Sequence, residues 1–227
     1  MPDPAYVHAA FSSIAERYVT ANHILSMGTD IMWRARVVQM VAEWKPQNLL
    51  DIATGTGDLA LALKRAFPEM EVLGTDFCRP MLDVAVRRGL TNVLEADAMS
   101  LPLPDAGFDA ATVAFGLRNM ADYEKALREW WRVLRPGGHL LVLDFSMPEN
   151  ILAAPYRLYL RHVLPRIAGW LTGNSGAYDY LGDSIEAFPR GQAFCELLTR
   201  AGYTCPTCHP LSMGIASIYT AEKGIGA

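Results

Sequence analysis

Along this chain the apolar side chains keep changing period, and those changes divide it into elements. From residues 4 to 45 the spacing is helical: Phe11, Ile14, Ala15 and Tyr18 share a face, and Ile24, Met27, Ile31 and Trp33 share a looser one. Gly28 marks a break there and Pro46 ends the region. Leu49, Leu50, Ile52 and Ala53 then form a short continuous apolar run, as in a strand buried on both faces. Residues 58 to 65, rich in Ala and Leu and closed by Lys64 and Arg65, read as a helix with basic residues in its last turn. A second strand, residues 71 to 75, ends on Asp76, and a third, residues 93 to 97, ends on Asp97. Between them residues 79 to 87 make a short helix with Met81, Leu82 and Val84 inward. Residues 108 to 115 are the fourth strand and residues 139 to 145 the fifth. The helix between them, about residues 123 to 134, carries Ala126, Leu127, Trp130 and Val133 on one stripe.

The alternation of strand and helix fails over residues 147 to 190. There Tyr156, Tyr159, Leu160, Val163 and Leu164 give one apolar face, with Arg157 and Arg161 on another, and Pro165 bends the segment. Residues 191 to 201 are again helical, and two strands, residues 203 to 205 and 214 to 221, close the pattern. The expectation is one domain over residues 1–227, with a helical N-terminal lid at 1–45 and a helical insertion at 147–190 that caps a substrate pocket. Tyr18, Asn22, Ser26 and Arg34 are the lid's candidate polar contacts.

The chemistry concentrates between Asn48 and Asp76. Gly55-Thr56-Gly57 joins the first strand to its helix, where the absence of side chains lets a ligand approach the backbone. Strand, glycine turn, helix, strand and terminal acid make half of a nucleotide-type unit, in which Asp76 would accept hydrogen bonds from ribose hydroxyls. Gly55, Gly57 and Ala60 also fit the dinucleotide fingerprint of NAD and FAD enzymes, so the turn alone leaves the ligand open. Asp97 and Ala98 fall on the same rim, and Gly116 to Met120 leave the end of the fourth strand beside them.

Composition narrows this further. The chain has 227 residues, 51 % of them hydrophobic, enough for a full core. A net charge of -4 argues against a nucleic-acid partner. No secretory signal is apparent at Met1-Pro2-Asp3-Pro4, and the longest uncharged run, residues 201 to 221, holds two prolines and a histidine, unlike a membrane span. The expected location is the cytoplasm or the inner face of a membrane. Cys205 and Cys208, followed by His209, have no second pair and lie in strand and turn, so neither a metal nor a redox site is expected.

Five alternating units, an insertion and a closing strand pair resemble the S-adenosylmethionine-dependent methyltransferase fold. The resemblance sharpens to the UbiE/MenG quinone C-methyltransferases through residues 11–15, then Tyr18, Asn22, Ser26, Gly28, Trp33 and Arg34, and through residues 115–119, 132–138, 162–165 and 177–181. It implies a Rossmann-like class I α/β fold: a mostly parallel seven-stranded sheet with one antiparallel strand. It also implies S-adenosyl-L-methionine as cofactor, held by Gly55, Thr56, Gly57, Asp76, Asp97 and Ala98, with Asp51 holding the loop or reaching the cofactor's ammonium. The substrate would be a demethylmenaquinol, methylated on a ring carbon for menaquinone biosynthesis. A ubiquinone precursor or another small aromatic compound is the alternative. Arg118 and Asn119 would stabilise a phenolate, and Tyr18 and His162 would handle its proton through water. A prenylated quinol implies transient contact with a membrane surface, for which residues 156 to 170, with Arg157, Arg161 and Arg166, are the candidate. A homodimer stays open. The chain departs from the family pattern at Val19, Asp30, Ala114 and Asp144, where the family has Asp, His, Ser and Glu.

Overall fold

The computed structural model describes residues 9, 12, 15, 23, 26, 28–167 and 176–226, with residues 176–180 as backbone. Tyr18, Asn22 and about half of the expected N-terminal lid lie outside the described residues.

A seven-stranded sheet runs through the molecule in the order β3-β2-β1-β4-β5-β7-β6. Its strands are β1 (Asn48–Ile52), β2 (Glu71–Asp76), β3 (Val93–Glu95), β4 (Phe108–Ala114), β5 (Leu134–Phe145), β6 (Tyr203–Leu211) and β7 (Ala216–Lys223). The first five pair in parallel, and β7 pairs antiparallel with both β5 and β6, as the resemblance implied.

The central strands feed both faces, which is why they read as unbroken apolar runs. Leu50 and Ile52 point into one core with Leu140, Val142 and Tyr219. Leu49 points into the other with Leu141, Leu143 and Ile218. Two helices cover the first face: α4 (Tyr123–Val133) through Leu127 and Trp130, and α7 (Gln192–Arg200) through Phe194 and Leu198. Three cover the second: α1 (Thr29–Trp44), α2 (Asp58–Ala66) and α3 (Arg79–Arg87). The expected stripe of α4 is the buried one, and Asp122 caps the helix by accepting from the Lys125 N–H at 2.9 Å. In α1 the buried apolar positions are Trp33, Val37, Met40 and Val41. Ile31, expected to share the face of Trp33, is exposed instead, because α1 starts afresh after Gly28 and two positions along a helix do not share a face.

Other boundaries differ from expectation. β3 stops at Glu95, two residues before Asp97, which turns back to bridge Ser100. β5 begins at Leu134, because the Arg135-Pro136-Gly137-Gly138 turn is taken up as an irregularity inside the strand. β6 runs on to Leu211 despite Pro206 and Pro210; it is the edge strand, where a missing N–H is tolerated. β7 starts after Gly214, which with Met213 turns the chain at positive φ, and runs on to Lys223. At its end the Lys223 Nζ donates to the carbonyls of Trp131 and Leu134 and lies 3.8 Å from the Trp131 ring, tying β7 to the end of α4.

The insertion contains α5 (Ala153–Leu158), a π turn over Tyr159–Val163, and α6 (Gly176–Ala187). Leu160 and Leu164 pack on Ile185 and Met147. Val163, expected inward, is exposed, because the wider π turn rotates it off the face that Leu160 and Leu164 share.

Candidate functional site

The site forms at the C-terminal ends of β1, β2 and β4, the crevice that open parallel sheets offer to ligands. Two non-glycine residues there hold left-handed backbone: Ala53 after β1 (φ 50°) and Phe115 after β4 (φ 61°). A bulky residue at positive φ is strained by about 1–3 kcal/mol, and such strain gathers at ligand sites. The strands bring the two together, since a Cβ on Gly116 would stand 2.6 Å from the Ala53 Cβ. Only glycine fits that contact.

Asp76 ends β2, nearly buried, and both its oxygens are held by backbone. Gly55 N–H donates to Oδ2 at 2.8 Å and Cys78 N–H to Oδ1 at 2.9 Å. The acid is therefore fixed beside the glycine turn before any ligand arrives, and each carboxylate oxygen can accept more than one donor. Next to it opens a cavity of about 230 Å³, lined by Gly55, Asp76, Asp97, Ala98, Phe115 and Asn119 among others. Asp97 accepts the Met99 N–H at 2.8 Å, and the Ala98 carbonyl accepts the Trp130 indole N–H at 2.9 Å, which anchors this rim to α4.

The other sites expected from sequence fall in different places. Asp51 is fully buried between two hydroxyls: Thr54 donates to it at 2.6 Å and Thr112 at 2.7 Å. Burial pushes its carboxyl up to about 6, against the opposing pull of those two bonds. Asp51 thus holds the loop through Thr54. Thr56 does not line the cavity; its hydroxyl donates to Asp58, and its carbonyl accepts from Arg88. Gly57, at φ 80°, lets the loop pass Ala85 and Leu90, where a Cβ would come within 3.2 Å and 3.3 Å of their side chains.

Arg118 and Asn119 sit on a tight turn after β4. Asn119 reaches the cavity, and its amide donates to the Phe115 carbonyl at 3.3 Å. Arg118 is buried. Its Nη1 donates to Asp144 at 2.7 Å and to the Phe115 carbonyl at 2.6 Å, its guanidinium lies over the Phe145 ring, and its Nε has no partner among the described residues. Asp144, wholly buried, also accepts the Phe145 N–H, and burial raises its carboxyl above the usual range against the pull of Arg118. His162 is exposed on the π turn and does not line the cavity.

Sequence reasoning passed over two features. Asp144 registered only as a departure, and nothing local ties it to Arg118. Asp30 and Arg34 also form a buried pair on α1, and Asp30 further accepts from Ser26 and meets His23 at 2.8 Å. Their i, i+4 spacing was the available signal.

Solved structures share this architecture. An S-adenosylmethionine-dependent methyltransferase from Thermotoga maritima superposes with a TM-score of 0.70 at 20 % identity, covering 96 % of this chain and 99 % of that one. One from Aquifex aeolicus does so with a TM-score of 0.55 at 21 % identity, covering 82 % and 88 %. The fold is that of the S-adenosylmethionine-dependent methyltransferases. The sequence matches the model of the ubiE/COQ5 methyltransferase family over residues 2–223, and the chain belongs to that family. A demethylmenaquinone methyltransferase of Thermus thermophilus is 49 % identical, covering 94 % of this chain and 99 % of its own. One of Deinococcus radiodurans is 43 % identical (96 % and 92 %), and a ubiquinone/menaquinone biosynthesis C-methyltransferase of Syntrophotalea carbinolica is 44 % identical (95 % and 93 %).

Proposed function

We propose that this protein methylates a ring carbon of a demethylmenaquinol in menaquinone biosynthesis, with S-adenosyl-L-methionine as donor. The observation that carries the reading is Asp76, locked by two backbone N–H groups beside Gly55 at the mouth of a largely apolar cavity. Those residues fit an adenosyl group: a fixed acceptor for hydroxyls, a side-chain-free turn, and a second rim at Asp97 and Ala98. Two relatives named for demethylmenaquinone support the substrate.

When bound, S-adenosylmethionine supplies a methyl group on a sulfonium, already activated for in-line attack. The protein's work is to position the ring and exclude water. A ring carbon becomes a good nucleophile once its neighbouring hydroxyl loses a proton. Asn119 lines the cavity and offers an amide there, and Arg118 lies next to it on the same turn. Asp144 shares the Arg118 charge and Arg118 does not line the cavity, so we assign Arg118 an electrostatic role behind Asn119 rather than that of a free cation. Tyr18 and His162 are kept as candidates for carrying the proton through water. Burial pushes the Tyr156 and Tyr159 phenols above their ordinary range, so both stay protonated in the insertion.

Among the described residues no helix is long and apolar enough to cross a membrane. Exposed Ile151, Leu158 and Ile167, near the arginines of α5 and the π turn, support peripheral contact with the bilayer that holds the prenyl tail. Arg157 and Arg161 both pair with Glu186, which weakens their pull on anionic lipid. Flotation with anionic liposomes tests this, and a protein left at the bottom of the gradient counts against it.

The function is tested by incubating the protein with methyl-labelled cofactor and membrane quinones, then analysing the quinones by mass spectrometry. Label in menaquinone supports the proposal; label confined to a ubiquinone precursor favours the second reading, which the relative named for both quinones keeps open. No labelled quinone points to another aromatic substrate.

A further inference from the structure

Phe145, the last residue of β5, links the cavity to the insertion. Its ring lies 4.6 Å from that of Phe115, which lines the cavity, and the Arg118 guanidinium lies 5.1 Å over it. The same Phe145 packs, with Tyr156 and Tyr159, on the cluster of Met147, Leu160, Leu164 and Ile185. Tyr156 belongs to α5 and Tyr159 opens the π turn, and their rings stack 16° from parallel with centroids 6.4 Å apart. Such turns are rare inside helical segments and gather at functional positions. Two other buried tyrosines have their hydroxyls engaged: Tyr203 donates to the Leu127 carbonyl at 3.1 Å, and Tyr219 accepts the Gly191 N–H at 2.9 Å. The Tyr156 hydroxyl has no hydrogen-bond partner among the described residues. Burial pushes this phenol up, and the Arg118 charge, which reaches it, pulls it back. A phenol that keeps its proton, set in the field of a buried cation, offers a place to an oxygen that gains negative charge.

We propose that Tyr156 donates a hydrogen bond to the quinol oxygen next to the ring carbon that is methylated. The inference rests on the proposed substrate and adds a catalytic residue from the insertion. No proton passes to or from Tyr156. The ring hydroxyl gives its proton to water, and the phenolate left behind is held by the Tyr156 hydroxyl in the field of Arg118. Stacking on Tyr159 fixes the donor in advance, so little has to be ordered when the charge appears.

Tyr156→Phe keeps the ring and its stacking and removes only the hydroxyl. Its single-turnover rate is measured against pH with a short-tailed demethylated quinol, kept reduced in detergent. Near neutral pH the variant should be about ten- to a hundredfold slower, the worth of a hydrogen bond to a charged group. Losing a donor makes the phenolate harder to form, so the rise of rate with pH should move upward by about 1–2 pH and the two proteins should converge in alkaline buffer. S-adenosylmethionine binding by calorimetry should stay as in wild type, and Tyr159→Phe should leave the pH profile in place. A wild-type rate in Tyr156→Phe, a loss of rate equal at every pH, or the same displaced profile in Tyr159→Phe overturns the Tyr156 assignment alone. Failure of the wild type to methylate the quinol at any pH overturns the substrate reading and the Tyr156 assignment with it.

Discussion

Take the Arg118–Asp144 pair away one partner at a time. Their side chains are 6 % and 0 % exposed, and the charged atoms meet at 2.7 Å. Arg118→Met leaves a buried carboxylate, and Asp144→Leu leaves a buried guanidinium; each should cost about 3–5 kcal/mol. The double variant strands neither charge. It loses the hydrogen bonds to the Phe115 carbonyl and from the Phe145 and Arg118 N–H groups, at about 1 kcal/mol apiece, or about 3 kcal/mol altogether. The singles together should therefore cost about 6–10 kcal/mol and the double about half of that or less, a coupling of several kcal/mol. For a domain of this size 1 kcal/mol moves Tm by about 2–4 °C, so each single variant should melt about 6–20 °C lower, and the double no lower than the worse single. Calorimetric melts of the four proteins read this directly. If the double variant loses the sum of the two single losses, the residues do not act as a pair, and the argument that Asp144 governs Arg118 is wrong.

Three further outcomes follow from the geometry. Asp76→Ala should weaken S-adenosylmethionine binding by about tenfold or more, since it removes a preset double acceptor; an unchanged calorimetric Kd would dismiss the ribose assignment. Asp51→Asn should change stability with pH. The folded carboxyl is raised from 3.8 to about 6, so the folded state holds a proton that the unfolded chain has already released, and wild-type stability falls as pH rises through that window. The deficit reaches about 3 kcal/mol above it, from about two pKa units. The variant should thus gain on wild type between pH 4 and pH 8, and a pH-independent difference in Tm would refute this. Gly116→Ala drives a methyl group to 2.6 Å from Ala53 and should cost about 1–3 kcal/mol, measurable as a lower denaturant midpoint; a neutral effect would mean the two loops part easily.

The parallel half of the sheet was readable because its strands are apolar on both faces, as Leu49 and Leu50 show by entering opposite cores. The rim acids were readable because Asp76 and Asp97 each come three residues after a short apolar pair, Val72-Leu73 and Val93-Leu94. What escaped were features that depend on tertiary pairing. Pro206 and Pro210 look like strand breakers until β6 is known to be an edge. Val163 follows helical spacing, yet a π turn moves it outward. Asp144 reads as the interior of a strand, and its meaning comes from an arginine 26 positions earlier.

The order of the sheet also bears on how the chain is made. β7 lies between β5 and β6, both of which precede it in sequence. During synthesis the two earlier strands must wait, one with an open apolar flank and the other with no sheet to join. The slot closes only when residues 216 to 223 have left the ribosome, and Lys223 then latches the helix next door. Nascent chains stalled before that point should remain exposed to chaperones, and release of the final strand should complete the whole sheet in one step.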